Sequence, residues 1–147
     1  MMQSWAARVL VPALLLLPAT VPAQGSQSSR DSRTGSELRQ NYPNPFIDET
    51  RIAFSIGGYP NCVDPSRQYR VSLRVFNVLA QQVATPVLEG GASPGQVVEN
   101  IFLTCGEYTA YWDGKVRGTD REAASGIYSY RLEVNGSPIT RKMTIRK

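Results

Sequence analysis

Residues 128–138 read YSYRLEVNGSP and contain the clearest strand in the chain. Large apolar side chains alternate with polar ones from Tyr128 to Val134, which is the period of a strand with one buried face. Asn135-Gly136 follows at once, and this pair is typical of the two-residue turn of a β-hairpin. A second run extends from Ile139 to Ile145. The stretch therefore predicts an antiparallel hairpin.

Five further segments upstream of this hairpin carry the same signs of β-structure. They are short apolar or alternating runs separated by glycine, proline and asparagine turns: 51–56, 70–75, 83–88, 97–103 and 108–112. No stretch shows a convincing helical period. Seven short strands with turn signals every ten or so residues predict an all-β fold. We expect a seven-stranded antiparallel immunoglobulin-like β-sandwich over residues 41–147.

The first 23 residues have the organisation of a secretory signal peptide. Arg8 precedes an apolar run that begins at Val9, and Val21-Pro22-Ala23 supplies the small residue at the cleavage site. Prolines interrupt the run, and it is too short to span a membrane. We therefore expect export to the periplasm and cleavage after Ala23, with no transmembrane span in the product.

Residues 24–40 (QGSQSSRDSRTGSELRQ) are rich in serine, glycine, glutamine and arginine. Leu38 is the only large apolar residue in this segment. A segment of this composition buries too little apolar surface to offset the entropy lost on ordering. We therefore predict a disordered linker between the signal peptide and the domain.

The only cysteines of the chain are Cys62 and Cys105. An even number of cysteines in an exported protein predicts a disulfide. Cys62 follows the first strand of the domain and Cys105 precedes the strand at 108–112, so both lie at one end of the sandwich if those strands are antiparallel. A redox or metal pair is the alternative, but the chain has no histidine and no Cys-x-x-Cys spacing.

The composition argues against catalysis. Without histidine, Ser–His and Cys–His nucleophile pairs are excluded. Asp113, Asp120 and Glu122 share one loop with glycine and threonine, where acidic residues usually serve turns; calcium binding by this 113–122 loop is the alternative. The net charge of +4 is small and its basic residues are dispersed, so no nucleic-acid partner is indicated. We predict no enzyme activity, no cofactor, no metal and no small-molecule substrate.

Residues 40–46, QNYPNPF, place two prolines around one asparagine. Pro43 and Pro45 have no N–H group and steer the residue before each of them into an extended conformation. The segment therefore cannot be a helix or a central strand. We expect an extended, edge-lying lead-in whose aromatic residues, Tyr42 and Phe46, cover one end of the sandwich.

The stretch from Leu38 to Phe46 resembles the opening of the C-terminal sorting domains of the type IX secretion system. It is similar also to the immunoglobulin-like domain of the flagellar hook-cap scaffolding protein. The resemblance covers nearly all of residues 38–147 and continues through 75–84, 111–114, 124–132 and 141–145. It departs from the family at Ala80, where glycine is usual. Both cysteines fall in segments that look like insertions, 57–68 and 98–107, which supports their pairing.

This resemblance implies a non-enzymatic domain that outer-membrane secretion machinery recognises and that is then attached at the cell surface. The positions that match the family's recognition motifs are Tyr42, Pro43, Asn44, Pro45, Phe46, Gly126, Tyr128 and Lys142. A sorting domain normally follows a long cargo, and here only the linker precedes it. The alternative is therefore a stand-alone structural or adhesive immunoglobulin-like module that binds another envelope protein.

Overall fold

The computed structural model describes residues 29–147, which form ten strands and no helix. The strands are β1 Ser29–Asp31, β2 Ser36–Leu38, β3 Thr50–Ile56, β4 Gln68–Phe76, β5 Gln82–Ala84, β6 Val87–Leu88, β7 Ile101–Thr104, β8 Gly106–Trp112, β9 Gly126–Val134 and β10 Ser137–Ile145. None of these described residues therefore belongs to a helix that could cross a bilayer. The predicted signal peptide lies outside the described residues.

The strands form two antiparallel sheets of five strands each. The first sheet has the order β1-β2-β3-β8-β6, and the second has the order β10-β9-β4-β5 with β7 paired to β4. Inward-facing side chains of both sheets form a single hydrophobic core, whose largest fully buried members are Tyr130, Phe46, Phe54, Leu38, Ile52, Ile56, Leu73, Leu132 and Met143. The predicted all-β architecture with a core between two sheets is confirmed.

The predicted number of seven strands is wrong, because the structure has ten. Each predicted strand has a counterpart, but the 97–103 run forms a strand only from Ile101 onward, and the 83–88 run is divided into β5 and β6 at Thr85-Pro86. Proline cannot donate to a strand ladder, and the carbonyl of Pro86 instead accepts the Val98 N–H at 2.9 Å. The other two additional strands lie upstream of the predicted sandwich.

The prediction of a disordered linker is wrong where the structure describes it, from residue 29 onward. Strands β1 and β2 pair in a hairpin, and β2 pairs with β3 through Leu38 and Phe54. Leu38 is fully buried in the core. The average composition of the segment did not predict this hairpin. One buried leucine and the paired backbone are enough to attach a short hairpin to an existing sheet. Residues 24–28 of the predicted linker lie outside the described residues.

The β9–β10 hairpin has the predicted form. The two strands pair over nine positions, from Gly126 opposite Ile145 to Val134 opposite Ser137. The turn residues Asn135 and Gly136 have φ values of 51° and 83°. Positive φ at both central residues is the requirement of the type I′ turn for which the Asn-Gly pair is selected.

The predicted disulfide is confirmed. Cys62 and Cys105 are bonded, with their Cα atoms 5.9 Å apart and a sequence separation of 43 residues. Cys62 lies in the loop between β3 and β4, and Cys105 lies between β7 of the second sheet and β8 of the first. The bond therefore ties the long β3–β4 loop to the point where the chain passes between the sheets. Gly57 packs against it, since a Cβ atom there would lie 2.8 Å from Cys105 Cβ.

The turn between β4 and β5 contains a strained alanine, Ala80, with a φ of 58°. We expect Ala80→Gly to raise the free energy of unfolding by about 0.5–1 kcal/mol, because the left-handed strain removed exceeds the entropy that glycine adds to the unfolded chain. Equilibrium urea denaturation measures this gain. Ala84→Gly, at a buried position of β5, is the control and should lower stability. Equal losses in both variants would contradict the prediction.

Candidate functional site

Strand β10 lies at the edge of its sheet, and residues 40–46, named here the clasp, lie along its free side. The Phe46 N–H donates to the Thr144 carbonyl at 3.1 Å, and the Arg146 N–H donates to the Phe46 carbonyl at 2.8 Å. The Asn44 Oδ1 accepts the Thr144 N–H at 3.0 Å. These bonds occupy backbone groups that a free edge strand would present to other chains.

The clasp passes from one sheet to the other. Its beginning pairs with the first sheet, where Tyr42 and Arg51 exchange backbone hydrogen bonds of 2.8 and 2.9 Å. Its end pairs with the second sheet through the parallel bridge between Phe46 and Ile145. The predicted edge-lying position is thus confirmed at Tyr42 and Phe46, but the predicted extended conformation is wrong for residues 43–45, where the chain bends as it passes from one sheet to the other.

A buried polar network fixes the start of the clasp. Asn41 Nδ2 donates to the Pro43 carbonyl at 3.1 Å and to Thr50 Oγ1 at 3.0 Å, and Thr50 Oγ1 donates to the same carbonyl. The Tyr130 hydroxyl donates to the Arg39 carbonyl at 2.7 Å and accepts the Asn41 N–H at 3.0 Å. Asn41, Thr50 and Tyr130 are all buried. The network satisfies groups that would be costly to bury without partners.

Removing the Tyr130 hydroxyl takes the partner from one buried and one partly buried backbone group. We expect Tyr130→Phe to lower the free energy of unfolding by about 1–3 kcal/mol, because the Asn41 N–H and the Arg39 carbonyl lose their partner. Chemical denaturation measures the loss. Tyr42→Phe, which removes an exposed hydroxyl, is the matched control and should leave stability unchanged.

The same hydroxyl makes stability sensitive to alkaline pH. Burial raises the pKa of Tyr130 above its ordinary value of 10.0, so the unfolded chain loses this proton first as the pH rises. The stabilisation is fully present below the unfolded-state pKa and is lost as the pH rises towards the folded-state pKa. The difference in stability between the native protein and Tyr130→Phe should therefore stay constant up to about pH 9 and shrink as the pH rises above the unfolded-state value of 10.0. A difference that stays constant would contradict this assignment.

The clasp buries only one of its two aromatic side chains. Phe46 is 1% exposed, whereas Tyr42 is 79% exposed, so the prediction that Tyr42 covers one end of the sandwich is wrong. The reason is register. Side chains of directly opposed residues share one face of a sheet, and Arg51, opposite Tyr42, points to solvent.

Phe46 belongs to an aromatic cluster that joins the clasp to both sheets. Its ring lies 5.6 Å from the Trp112 ring of β8, which lies 6.1 Å from the Tyr128 ring of β9, both in edge-to-face geometry. The Trp112 Nε1–H donates to the Lys115 carbonyl at 3.0 Å, and the Tyr128 hydroxyl donates to the Ala124 carbonyl at 2.7 Å. The cluster therefore holds the C-terminal end of the sandwich together.

The remaining predicted recognition residues also lie around β10. Gly126 stands opposite Ile145, with a φ of 152° that favours glycine. Lys142 is exposed opposite Ser129, and its carbonyl accepts the Gln40 Nε2–H at 2.9 Å. The structure thus brings Asn44, Phe46, Gly126, Tyr128 and Lys142 together at one strand. Tyr42 and the Pro43 carbonyl are attached to the other sheet, through Arg51 and Thr50.

A groove on the outer face of the second sheet adjoins Lys142. It has a volume of about 540 Å³ and is lined by residues including Phe76, Val78, Ile127, Ser129, Arg131 and Lys142. The Arg131 guanidinium lies over the Phe76 ring, 4.6 Å from its centroid. No motif in the sequence predicted this groove. A signal was nevertheless present. The inward positions of the alternating runs predicted the core, and the outward positions of the same runs line the groove.

The carboxylates of the 113–122 loop do not converge on one point. Asp113 Oδ1 accepts the Lys115 N–H at 3.0 Å, which is a turn contact, and Glu122 faces the Lys147 ammonium at 3.1 Å. Residues 29–147 contain no cluster of three side chains that could hold a metal ion. Gly114 is required by this turn, because a Cβ atom there would lie 2.5 Å from the Asp48 carbonyl oxygen.

Comparison with known proteins adds little to this geometry. No family model matches the sequence, and no curated protein matches it. Among solved structures, the chain is similar to the Pseudomonas fluorescens alkylpurine DNA glycosylase AlkC bound to DNA containing an abasic site analog. That likeness has a TM-score of 0.43 and 13% sequence identity, and it covers 78% of this chain and 31% of that chain. A likeness at this level carries no argument about function.

Proposed function

We propose that this chain is an exported, non-enzymatic immunoglobulin-like domain that outer-membrane secretion machinery recognises and that is then attached at the cell surface. The observation that supports the proposal best is the convergence of separate sequence motifs on strand β10. The clasp motif bonds to one side of the strand, the Gly126–Tyr128 motif pairs with its other side, and Lys142 projects from its exposed face. Their resemblance to sorting domains concerns this same set of residues.

The contacts of β10 indicate how a receptor would read it. Met143 and Ile145 are buried in the core, and the clasp occupies backbone groups on the free side of the strand. The surface left for a receptor is the outward row of side chains, among them Thr140 and Lys142. The folded domain would therefore be recognised through side chains on a rigid strand, without adding a strand to its C-terminal half.

Two further features agree with export. The disulfide between Cys62 and Cys105 is of the kind that forms and persists in oxidising compartments outside the cytosol. The N-terminal segment that carries Arg8 and ends at Ala23 has the pattern of a cleaved secretory signal. An envelope location is thus consistent with both the disulfide and the N-terminal segment.

The test uses a variant that keeps the fold. Deleting residues 143–147 would remove Met143 and Ile145 from the core, so a trapped product would only report misfolding. We expect Lys142→Ala to accumulate in the periplasm of the native host, and Lys142→Arg to reach the surface. Lys115→Ala is the matched control. Fractionation and protease treatment of intact cells measure the location, and an unchanged melting temperature shows that the domain is folded.

A stand-alone adhesive module is the second candidate, and one observation favours it. Val78 and Ile127 are 79% and 55% exposed, and both line the outer-face groove, so this surface has apolar area available to a protein partner. In this case Lys142→Ala would reach the surface normally. An envelope protein outside the secretion machinery would then be cross-linked by the native chain but not by Val78→Asp.

A further inference from the structure

Two cationic side chains of the outer-face groove have donors that no acceptor uses. Lys142 takes part in none of the ion pairs of residues 29–147. Arg131 Nε is buried and forms an ion pair with Glu133 Oε1 at 3.3 Å, but 39% of the arginine side chain is exposed, so its terminal Nη atoms are the donors that can face a ligand. The groove therefore offers guanidinium and ammonium donors to an anion.

The carboxylates nearest these cations already form ion pairs with Arg74. Glu133 Oε2 accepts from Arg74 Nη1 at 2.9 Å, and Arg74 also forms an ion pair with Glu99. Arg74 is thus balanced by two carboxylates, whereas Arg131 shares one of them and Lys142 has none. The three cations Arg74, Arg131 and Lys142 thus outnumber the two carboxylates by one, so this outer face carries an excess positive charge, which complements a negatively charged partner.

The strand register places two hydroxyl groups between the cations. Ser129 stands directly opposite Lys142, and Thr140 stands directly opposite Arg131. The two cations are therefore diagonal neighbours, about 7–8 Å apart at their Cα atoms. A carboxylate placed between them can accept hydrogen bonds from the guanidinium, the ammonium and both hydroxyls. An ionised carboxylate only accepts hydrogen bonds, and all four of these groups can donate one.

The guanidinium is held in place before any ligand arrives. Its position over the Phe76 ring, 4.6 Å from the centroid, is a cation–π contact. Phe76 stands opposite Ser129 in the sheet, so the ring forms part of the groove floor next to the cations. Such pre-organisation lowers the entropy lost when the arginine binds an anion.

Exposed apolar side chains lie beside the cationic pair on the same face of the sheet. Ile127 is 55% exposed and precedes Ser129 by two residues on β9, and Val78 lines the same groove. Residues two apart in an extended chain project from the same face, separated by about 6–7 Å. An extended segment with a carboxylate at one position and an apolar side chain two residues away matches this spacing.

We propose that the outer-face groove binds an extended segment of a partner protein that carries an acidic residue and an apolar residue two positions apart. Arg131 and Lys142 bind the carboxylate, and Phe76, Val78 and Ile127 receive the apolar side chain. The inference does not rest on the proposed secretion role, since the same groove serves a sorting domain or an adhesive module.

Titration of the purified exported protein with a synthetic peptide, followed by NMR of its backbone amides, tests this proposal. The probe is acetyl-Ser-Gly-Glu-Ser-Ile-Ser-Gly-amide. We expect saturable shifts at amides of the 127–131 and 140–142 stretches, and binding weakened roughly tenfold in the Arg131→Gln, Lys142→Gln double variant. Lys115→Gln is the matched control and should bind like the native protein.

Two control peptides separate the elements of the proposal. Glutamine in place of the glutamate should weaken binding as much as the double variant does. A peptide in which glutamate and isoleucine are adjacent should also bind more weakly, because the two side chains then project from opposite faces. Equal binding of the three peptides would overturn the proposal.

Three other results would also overturn it. The first is an absence of shifts at millimolar peptide. The second is binding of inorganic phosphate or an oligogalacturonate at these amides without binding of the peptide, which would assign the groove to another anion. The third is concentration-dependent shifts of the same amides in the protein alone, which would assign the groove to a second copy of the chain. Failure of peptide binding leaves the localisation of Lys142→Ala unaffected as a test of secretion.

Discussion

Replacing Phe46 with alanine is expected to lower the free energy of unfolding by about 3–5 kcal/mol. Phe46 is 1% exposed and contacts Trp112, so the truncation opens a cavity between the two sheets. Its backbone bonds to Thr144 and Arg146 need no side chain, so the loss comes from packing. Urea denaturation followed by tryptophan fluorescence measures the change next to Trp112.

The other aromatic residue of the clasp supplies the control. Tyr42 is 79% exposed, so Tyr42→Ala should change stability by less than about 0.5 kcal/mol. Phe46→Leu keeps most of the buried volume and should cost less than the alanine variant. Similar losses at the two aromatic positions would show that the clasp contributes to stability through its backbone alone.

Replacing both cysteines with serine is expected to cost about 4 kcal/mol. The disulfide between Cys62 and Cys105 closes a loop with a sequence separation of 43 residues, and the chain-entropy relation gives this value for a loop of that length. Because a small domain has a total stability of about 5–15 kcal/mol, the double variant should unfold at much lower denaturant concentration.

Reduction of the native protein provides the comparison for this variant. A thiol reductant should lower the denaturation midpoint of the native protein towards that of the double variant and should leave the variant unchanged. Mass analysis of the alkylated, unreduced native protein should show no free thiol. Two alkylated cysteines, or a double variant as stable as the native protein, would contradict the prediction.

The sequence predicted those elements whose signals are local. The β9–β10 hairpin was predictable because alternation marks its strands and Asn135-Gly136 marks its turn. The β1–β2 hairpin was not, because its attachment depends on Leu38 reaching a core built by residues far along the chain. The division of the 83–88 run at Pro86 was visible in the sequence as a proline that interrupts a ladder.

The sequence indicated which residues belong to the candidate site, but it did not indicate where they lie in the fold. The motifs containing Asn44 and Phe46 were recognisable, yet their contacts with Thr144 join positions about a hundred residues apart, which no local pattern encodes. The exposure of Tyr42 follows from its pairing with Arg51, and only the register between segments determines it. The groove residues Phe76 and Arg131 likewise meet across two strands that are distant in sequence.

The contact between Asn44 and Thr144 has a consequence for the order in which this molecule is made. It spans 100 positions, and ribosomes deliver the amino end first, so the segment that seals the sandwich emerges long before the strand it must seal. Contacts of such long range slow folding, since a large loop has to close before they form. Until β10 is available, one side of the sandwich stays open, so the fold is completed only when this strand joins it.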